Sequence, residues 1–485
     1  MRLKIRDISK RIPPIENIRF WLLTIVLYKL LLFVIMTIGI HENRVEVQGL
    51  FAIEGDTFGY FEPIRNWVDD LGYGPPCRMP GILPIFAPLY ALFGNIWAQN
   101  IFIIFQFICS CISIYLLALI SSFYMPKVNP IIVLVLFLVG PFFNLYDHYG
   151  LSDSLSISFI IFGIYFFTKF ISETISSRKY KYLLIAAIFL VWSFFIRQIG
   201  LLVFGAFGLF FLLHLMQTKK IKYLKYGLTY TLVAVVAVSI WWGRNTKSGY
   251  PETILVNPID ECFNGYPKYQ NILRELPIAW GSRFTLWGGE AEWFLRKNMK
   301  EEDFPFSNRI FTTAYNYDSL LYLRQASLKL FYEKDILVHK EQKMLEKYIV
   351  QTTNKYLKSY KEEKPFDYYF VNKLILLKKF IFTRGVALPF PAVSEMNLLE
   401  KVYKIFAIFF TVFIILTGLL SSILFIDRKT LYLNILIWLF IFIIGIYFGW
   451  IEFRYWSTIY PILVLFSAKI VSYTYHNYCT YIKGK

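Results

Sequence analysis

The sequence predicts an all-α polytopic membrane protein of about ten transmembrane helices, with juxtamembrane helices and an α-rich extracytoplasmic segment. Three observations predict it: a composition that water cannot accommodate, a series of apolar runs of membrane-crossing length, and basic residues placed between alternate runs. Hydrophobic residues make up 56% of the 485 and charged residues only 17%. A soluble fold would lack the polar surface to cover so much apolar mass. A bilayer solvates it instead.

A helix crosses the hydrocarbon core with about twenty residues, and in lipid only helices and closed barrels satisfy their own backbone groups. Apolar runs fall at 20–40, 98–120, 131–147, 153–171, 182–197, 198–216, 226–243, 401–425, 431–450 and 457–475. The first, Phe20–Ile40, is long for a signal-peptide core and has no small-residue cleavage site after it, so it is expected to be a retained span.

Basic residues orient the runs. Arg2, Lys4, Arg6, Lys10, Arg11 and Arg19 precede the first. Alternation then puts Lys127, the Arg178–Lys181 cluster, Lys219–Lys225, Arg428–Lys429 and the tail Lys483 and Lys485 on the same side. Both termini are therefore expected in the cytoplasm and the number of spans is even. On that reading 1–243 is an N-terminal membrane domain with a first outer loop at 41–97, 244–400 is an extracytoplasmic segment, and 401–485 holds the C-terminal spans. Within the outer segment, 318–360 reads as one helix capped by Asp318 or Ser319, and 373–390 as an interfacial helix.

Several function classes drop out. The net charge of +18 lies in short segments between apolar runs, where it meets lipid headgroups, and no nucleic-acid-binding motif accompanies it. Walker and Rossmann loops, His-Glu-x-x-His and Cys-x-x-Cys are all missing from the sequence, leaving ATP hydrolysis and zinc proteolysis without machinery. Five cysteines are too few for a disulfide scaffold. Cys109 and Cys111 lie in an apolar run. Cys77 and Cys262 map to outer loops, where a bridge and two separate thiols are both open.

The first outer loop carries the strongest chemical signal. It reads Glu54-Gly55-Asp56-Thr57-Phe58-Gly59-Tyr60, then Arg78-Met79-Pro80-Gly81. A carboxylate just beyond a span is placed to act as general base toward a hydroxyl, or to cap a short helix. Other polar residues recur at outer boundaries: Asp147, His148 and Asp153; Arg197; Arg244-Asn245; and Glu452, Arg454 and Tyr455. Snorkelling to headgroups accounts for any single arginine. As a set, acids and arginines at one membrane face suit a phosphate-bearing ligand plus a base.

These residues, taken in order, resemble the integral membrane glycosyltransferases of the GT-C type, particularly bacterial relatives of the protein O-mannosyltransferases and the aminoarabinose lipid A transferase. Gly55-Asp56 with Tyr60 resembles the family's acidic motif; where relatives often have a second acidic residue this chain has Thr57, with Glu54 as a substitute. Arg78-Met79-Pro80-Gly81, Leu151-Ser152-Asp153-Ser154, Phe195-Ile196-Arg197-Gln198-Ile199-Gly200, Trp241-Trp242-Gly243-Arg244-Asn245 and Glu452-Phe453-Arg454-Tyr455 are similar to later landmarks, Gln198 replacing a proline. The resemblance implies a GT-C-like fold and an inverting transfer of one sugar from a polyprenyl-phosphate carrier to an acceptor hydroxyl. It makes Asp56 the base and Arg78, Arg244 and Arg454 the holders of the donor phosphate. Asp153, His148 and Tyr60 become orienting residues. It places the site on the outer face of the membrane; with no Asn-x-Ser/Thr sequon or organelle retention signal in the sequence, a bacterial inner membrane with a periplasmic site is expected. It leaves open a divalent metal at the carboxylates, the sugar, and whether the acceptor is a glycan, a lipid or a protein. The alternatives are a polysaccharide polymerase or ligase, a lipid or glycan transporter, and a non-enzymatic scaffold.

Overall fold

The structure is a computed structural model that describes residues 14–42, 47–48, 50–52, 55–73, 78–140, 146–255, 268–282, 290–297, 299–333, 336–382, 398–427, 429–447 and 453–483. Among the described residues the fold is all-α apart from one ribbon of two-residue strands and the isolated bridge Thr312–Tyr315. In order, the helices are α1 (Ile18–Glu42), α2 (Gly55–Val68), α3 (Leu83–Tyr124), α4 (Pro130–Val139), α5 (Asp153–Ser172), α6 (Ser176–Ile196), α7 (Gly200–Thr218) and α8 (Ile221–Lys247). Then come α9 (Lys268–Ala279), α10 (Tyr317–Tyr332), α11 (His339–Glu363), α12 (Asn372–Ile381), α13 (Leu398–Leu424), α14 (Leu431–Phe440) and α15 (Tyr460–Lys483). Among the described residues, seven helical stretches are long and apolar enough to cross a membrane, with Pro130–Val139 and Leu431–Tyr447 as shorter apolar helices. The protein is a polytopic membrane protein.

Two compact units divide the chain. One comprises Met1–Val256, Arg384–Ile437 and Trp456–Lys485; the other comprises Asn257–Thr383 and Trp438–Tyr455.

In the first unit, α5 is buried along nearly its whole length and packs between α3 and α6. Helix α3 has 42 residues, about 63 Å if straight and twice what a bilayer needs. Gly94 breaks it with φ 71° and ψ 178°, a conformation that a side chain disfavours. The expected span 98–120 lies wholly beyond that break. The expected run 131–147 needs correction. Asn129 caps α4 through a 3.0 Å bond from the Ile131 amide, but the helix stops at Val139 and Gly140 is extended. Pro141 supplies the reason, since a proline disfavours helical geometry in the residue before it. Asp147 and His148 sit in a buried turn that directly follows Tyr146. The near-continuous pair at 182–216 resolves into α6 and α7, with Arg197 extended between them.

The second unit packs α9, α10 and α11 around an aromatic core that includes Trp280, Trp293, Phe294, Tyr315, Leu320, Leu323 and Tyr360. Here the expectation of a single helix over 318–360 is corrected. α10 starts one residue earlier, with Asn316 as cap and Ser319 as its reciprocal partner in a capping box. It ends at the C-cap Glu333, and α11 begins anew at His339. The expected helix 373–390 ends at Ile381 and is preceded by a π turn, Asp367–Val371; its remainder lies outside the described residues.

Candidate active site

The site is built from the N-terminal ends of α2 and α5, the segment before α3, and the α6–α7 junction, all in the first unit. An antiparallel ribbon, Val47–Gln48 against Phe51–Ala52, leads into α2. Phe61 and Ile64 bury one face of α2; the Phe61 ring lies 4.3 Å from Phe86 and 5.4 Å from Phe102 of α3. The backbone puts Asp56 in the first turn of α2, one turn before Tyr60 and so on the same face. The Asp56 side chain, and Glu54 altogether, lie outside the described residues.

Tyr60 is the hub. Its hydroxyl accepts a 2.8 Å hydrogen bond from Ser152 Oγ, and the Arg78 guanidinium lies 4.8 Å from its ring centre. Ser152 occupies the N-cap of α5 without capping it, because its hydroxyl is committed to Tyr60. The next residue, Asp153, is ion-paired with Arg197; their side chains are 2% and 9% exposed. Arg197 in turn follows Phe195-Ile196, whose backbone a side chain at Gly81 would overlap. The Trp192 indole adds a 2.7 Å bond to the Gly81 carbonyl. The contacts close a circuit: Tyr60 to Ser152-Asp153, across to Arg197, through its neighbours to Gly81, and back by Arg78 to Tyr60. Four segments distant in sequence meet in it.

Beside the circuit lies a charge that the sequence reading missed. Lys29 of α1 donates to Asp147 at 2.5 Å, each 2% exposed, and Asp147 also accepts from Ser110 at 2.9 Å and Ser154 at 2.5 Å. The signal was present as a lone lysine inside an apolar run, where a charge requires a partner. That partner is 118 residues away. The pair pins the turn that carries His148, which stacks on Phe33 at 4.0 Å. Burial, reinforced by Lys29, pushes the His148 pKa down to about 3, so the ring is neutral at pH 7. A neutral ring offers no positive charge to a phosphate.

Arg244 of α8 reaches Tyr73, which follows α2. Its guanidinium lies 4.8 Å from the Tyr73 ring centre and 5.0 Å from that of Trp241. Nη1 donates to Asn245 Oδ1 at 3.0 Å, and buried Asn245 donates to the Thr253 carbonyl at 2.9 Å. Burial raises the Tyr73 pKa, with Arg244 opposing, so the phenol stays protonated. Arg454 belongs to the second unit, half-buried in the turn Phe453–Thr458. In the first unit, the side chains named so far include four cations, Lys29, Arg78, Arg197 and Arg244, and two carboxylates, Asp147 and Asp153.

Asp147 and Asp153 are not free to take a metal. Asp147 and Asp153 each hold a cation already, and among the described residues no three His, Cys, Asp or Glu side chains come together.

No protein-family model and no curated protein matches the chain. Among solved structures it is similar to ArnT from Cupriavidus metallidurans in the apo state, at 11% identity and a TM-score of 0.39, over 93% of this chain and 78% of that one. ArnT bound to undecaprenyl phosphate gives the same identity and score, over 92% and 77%. It is also similar to the archaeal oligosaccharyltransferase AglB from Archaeoglobus fulgidus, in complex with an inhibitory peptide and a dolichol-phosphate, at 14% identity and a TM-score of 0.45. That match covers 96% of this chain and 51% of AglB, so the chain spans about half the oligosaccharyltransferase's length.

Proposed function

We propose that the chain is an integral membrane glycosyltransferase that moves a monosaccharide from a polyprenyl-phosphate carrier to an acceptor hydroxyl on the extracytoplasmic face, with inversion. The observation that carries this reading is the circuit through Tyr60. It gathers the segments that resemble the family's landmarks, Asp56–Tyr60, Arg78–Gly81, Ser152-Asp153 and Phe195–Arg197, on one unit.

In this mechanism the Asp56 carboxylate takes the proton of the acceptor hydroxyl as its oxygen attacks the anomeric carbon. The bond from that carbon to the phosphate oxygen breaks, and polyprenyl phosphate leaves. Arg78 and Arg244 stabilise the charge growing on the leaving phosphate; Arg454 is a third candidate. Both arginines lie against aromatic rings that restrict their rotamers, which favours a preset geometry. Asp153 and the neutral His148 orient the base or the acceptor. The prenyl tail requires a lipid-open groove between spans. A bacterial inner membrane, with both termini cytoplasmic, completes the reading.

The test is incubation of the purified protein with a panel of polyprenyl-phosphate sugars and candidate acceptors, scoring free carrier phosphate. Release with one donor is expected; no release from any donor with glycan, lipid and peptide acceptors present would contradict the reading.

A further inference from the structure

The second unit exposes an apolar face that its own core leaves uncovered. The π turn Asp367–Val371 and α12 present two opposite faces. Asn372, Leu376 and Phe380, four residues apart, are buried. Asn372 donates to the Ala279 carbonyl and to the Tyr360 hydroxyl, both at 2.8 Å. Phe366, Phe370 and Leu374, also four apart and about half a turn away, are 70%, 61% and 65% exposed. The Phe366 and Phe370 rings stack at 5.6 Å, and Tyr369 and Phe382 extend the exposed strip. So large a patch of rings is unusual on a water-facing surface.

What covers it is indicated by its neighbour within the same unit. Phe380 packs on Gly445 and lies 6.1 Å from the Phe440 ring, and Lys373 Nζ donates to the Ile446 carbonyl at 3.1 Å. Those partners belong to the apolar helical stretch Leu431–Tyr447, whose Trp438, Leu439, Phe442 and Tyr447 are exposed as well. Helix α12 is thus clamped to the end of a stretch composed for lipid. Exposed lysines flank the strip: Lys378, and Lys361, whose ammonium lies 5.7 Å from the Tyr369 ring centre.

We propose that this face is seated in the headgroup–acyl boundary of an anionic phospholipid bilayer, so that the second unit rests on the membrane through its own helix. Phe366, Phe370 and Leu374 enter the acyl edge, while the lysine stems lie along it with their ammonium groups among the headgroups. The proposal stands whether or not the chain is a transferase.

The test uses the full chain in phosphatidylcholine–phosphatidylglycerol nanodiscs, with Cys77, Cys262 and Cys479 changed to serine and the buried Cys109 and Cys111 retained. Nitroxide labels are placed at Phe370→Cys, at Leu374→Cys as a second site, and at Lys358→Cys on the 77% exposed surface of α11. At 370 and 374, collision with oxygen is expected to exceed collision with a water-soluble nickel chelate several-fold, with the reverse at 358. Omitting phosphatidylglycerol should reduce that excess; an unchanged excess removes the anionic part of the proposal. An aqueous pattern at 370 and 374 overturns it. Shielding from both relaxants, the mark of a protein partner, overturns it equally.

Discussion

Two arginines with little exposed side chain, one in each unit, are satisfied by different kinds of partner. Arg324 of α10, 4% exposed, donates Nε to the Trp293 carbonyl at 2.7 Å and Nη2 to the Arg296 carbonyl at 3.3 Å and the Met299 carbonyl. Arg197 faces a carboxylate, Asp153. Main-chain carbonyls neither titrate nor leave, so Arg324 serves as architecture, tying the segment 293–299 to α10. A carboxylate can exchange its cation for a ligand, and the Asp153–Arg197 pair lies on the circuit that includes Tyr60. The difference separates a charge held by main-chain groups from one held by a side chain that can itself titrate or be replaced.

The largest stability effect is expected at Arg324. Arg324→Ala leaves several carbonyls unsatisfied and should lower unfolding free energy by about 3–5 kcal/mol, read as a fall in thermal midpoint. No single second substitution should restore it. Arg197→Leu should lose about 3 kcal/mol, because it strands a buried carboxylate. Adding Asp153→Leu should recover most of that loss. A double variant as unstable as the single would erase the distinction between the two arginines.

A smaller effect is expected from pH. His148 is held neutral in the fold, with a pKa of about 3 against about 6.5 in an unfolded chain. The unfolded chain therefore takes up a proton first as pH falls, so this contribution is intact above about 6.5 and is lost progressively toward 3. The thermal midpoint should drop between about pH 6.5 and 5, and His148→Asn should flatten that slope. Smallest is Glu301→Ala, expected to change stability by under about 1 kcal/mol. Glu301 meets Arg324 only at 3.7 Å and its side chain is 47% exposed, so water screens the pair.

The apolar runs were legible because length and composition suited to a bilayer show in the sequence, and each run holds a helix among its described residues. Their ends were less so. The Gly140-Pro141 stop was hidden inside hydrophobic density, and the Gly94 break in α3 leaves composition unchanged. In the second unit Asn316 was overlooked as a cap because Asp318 and Ser319, both good capping residues, stand beside it. The loop motifs pointed to Tyr60, Arg78, Asp153 and Arg197, yet no spacing indicated that Ser152 would reach Tyr60, a contact across 92 residues. Lys29 escaped notice for the same reason: its meaning resides in Asp147, and tertiary pairs leave no local periodicity.

The central claim is that position 56, one turn from Tyr60 on α2, supplies the base. Its most direct test compares Asp56→Asn with the unaltered chain for release of carrier phosphate from the accepted polyprenyl-phosphate sugar, with both proteins matched for thermal midpoint. A loss of about 10²–10⁴-fold in turnover with unchanged stability is the predicted result. Turnover within a few-fold of the unaltered protein would contradict it.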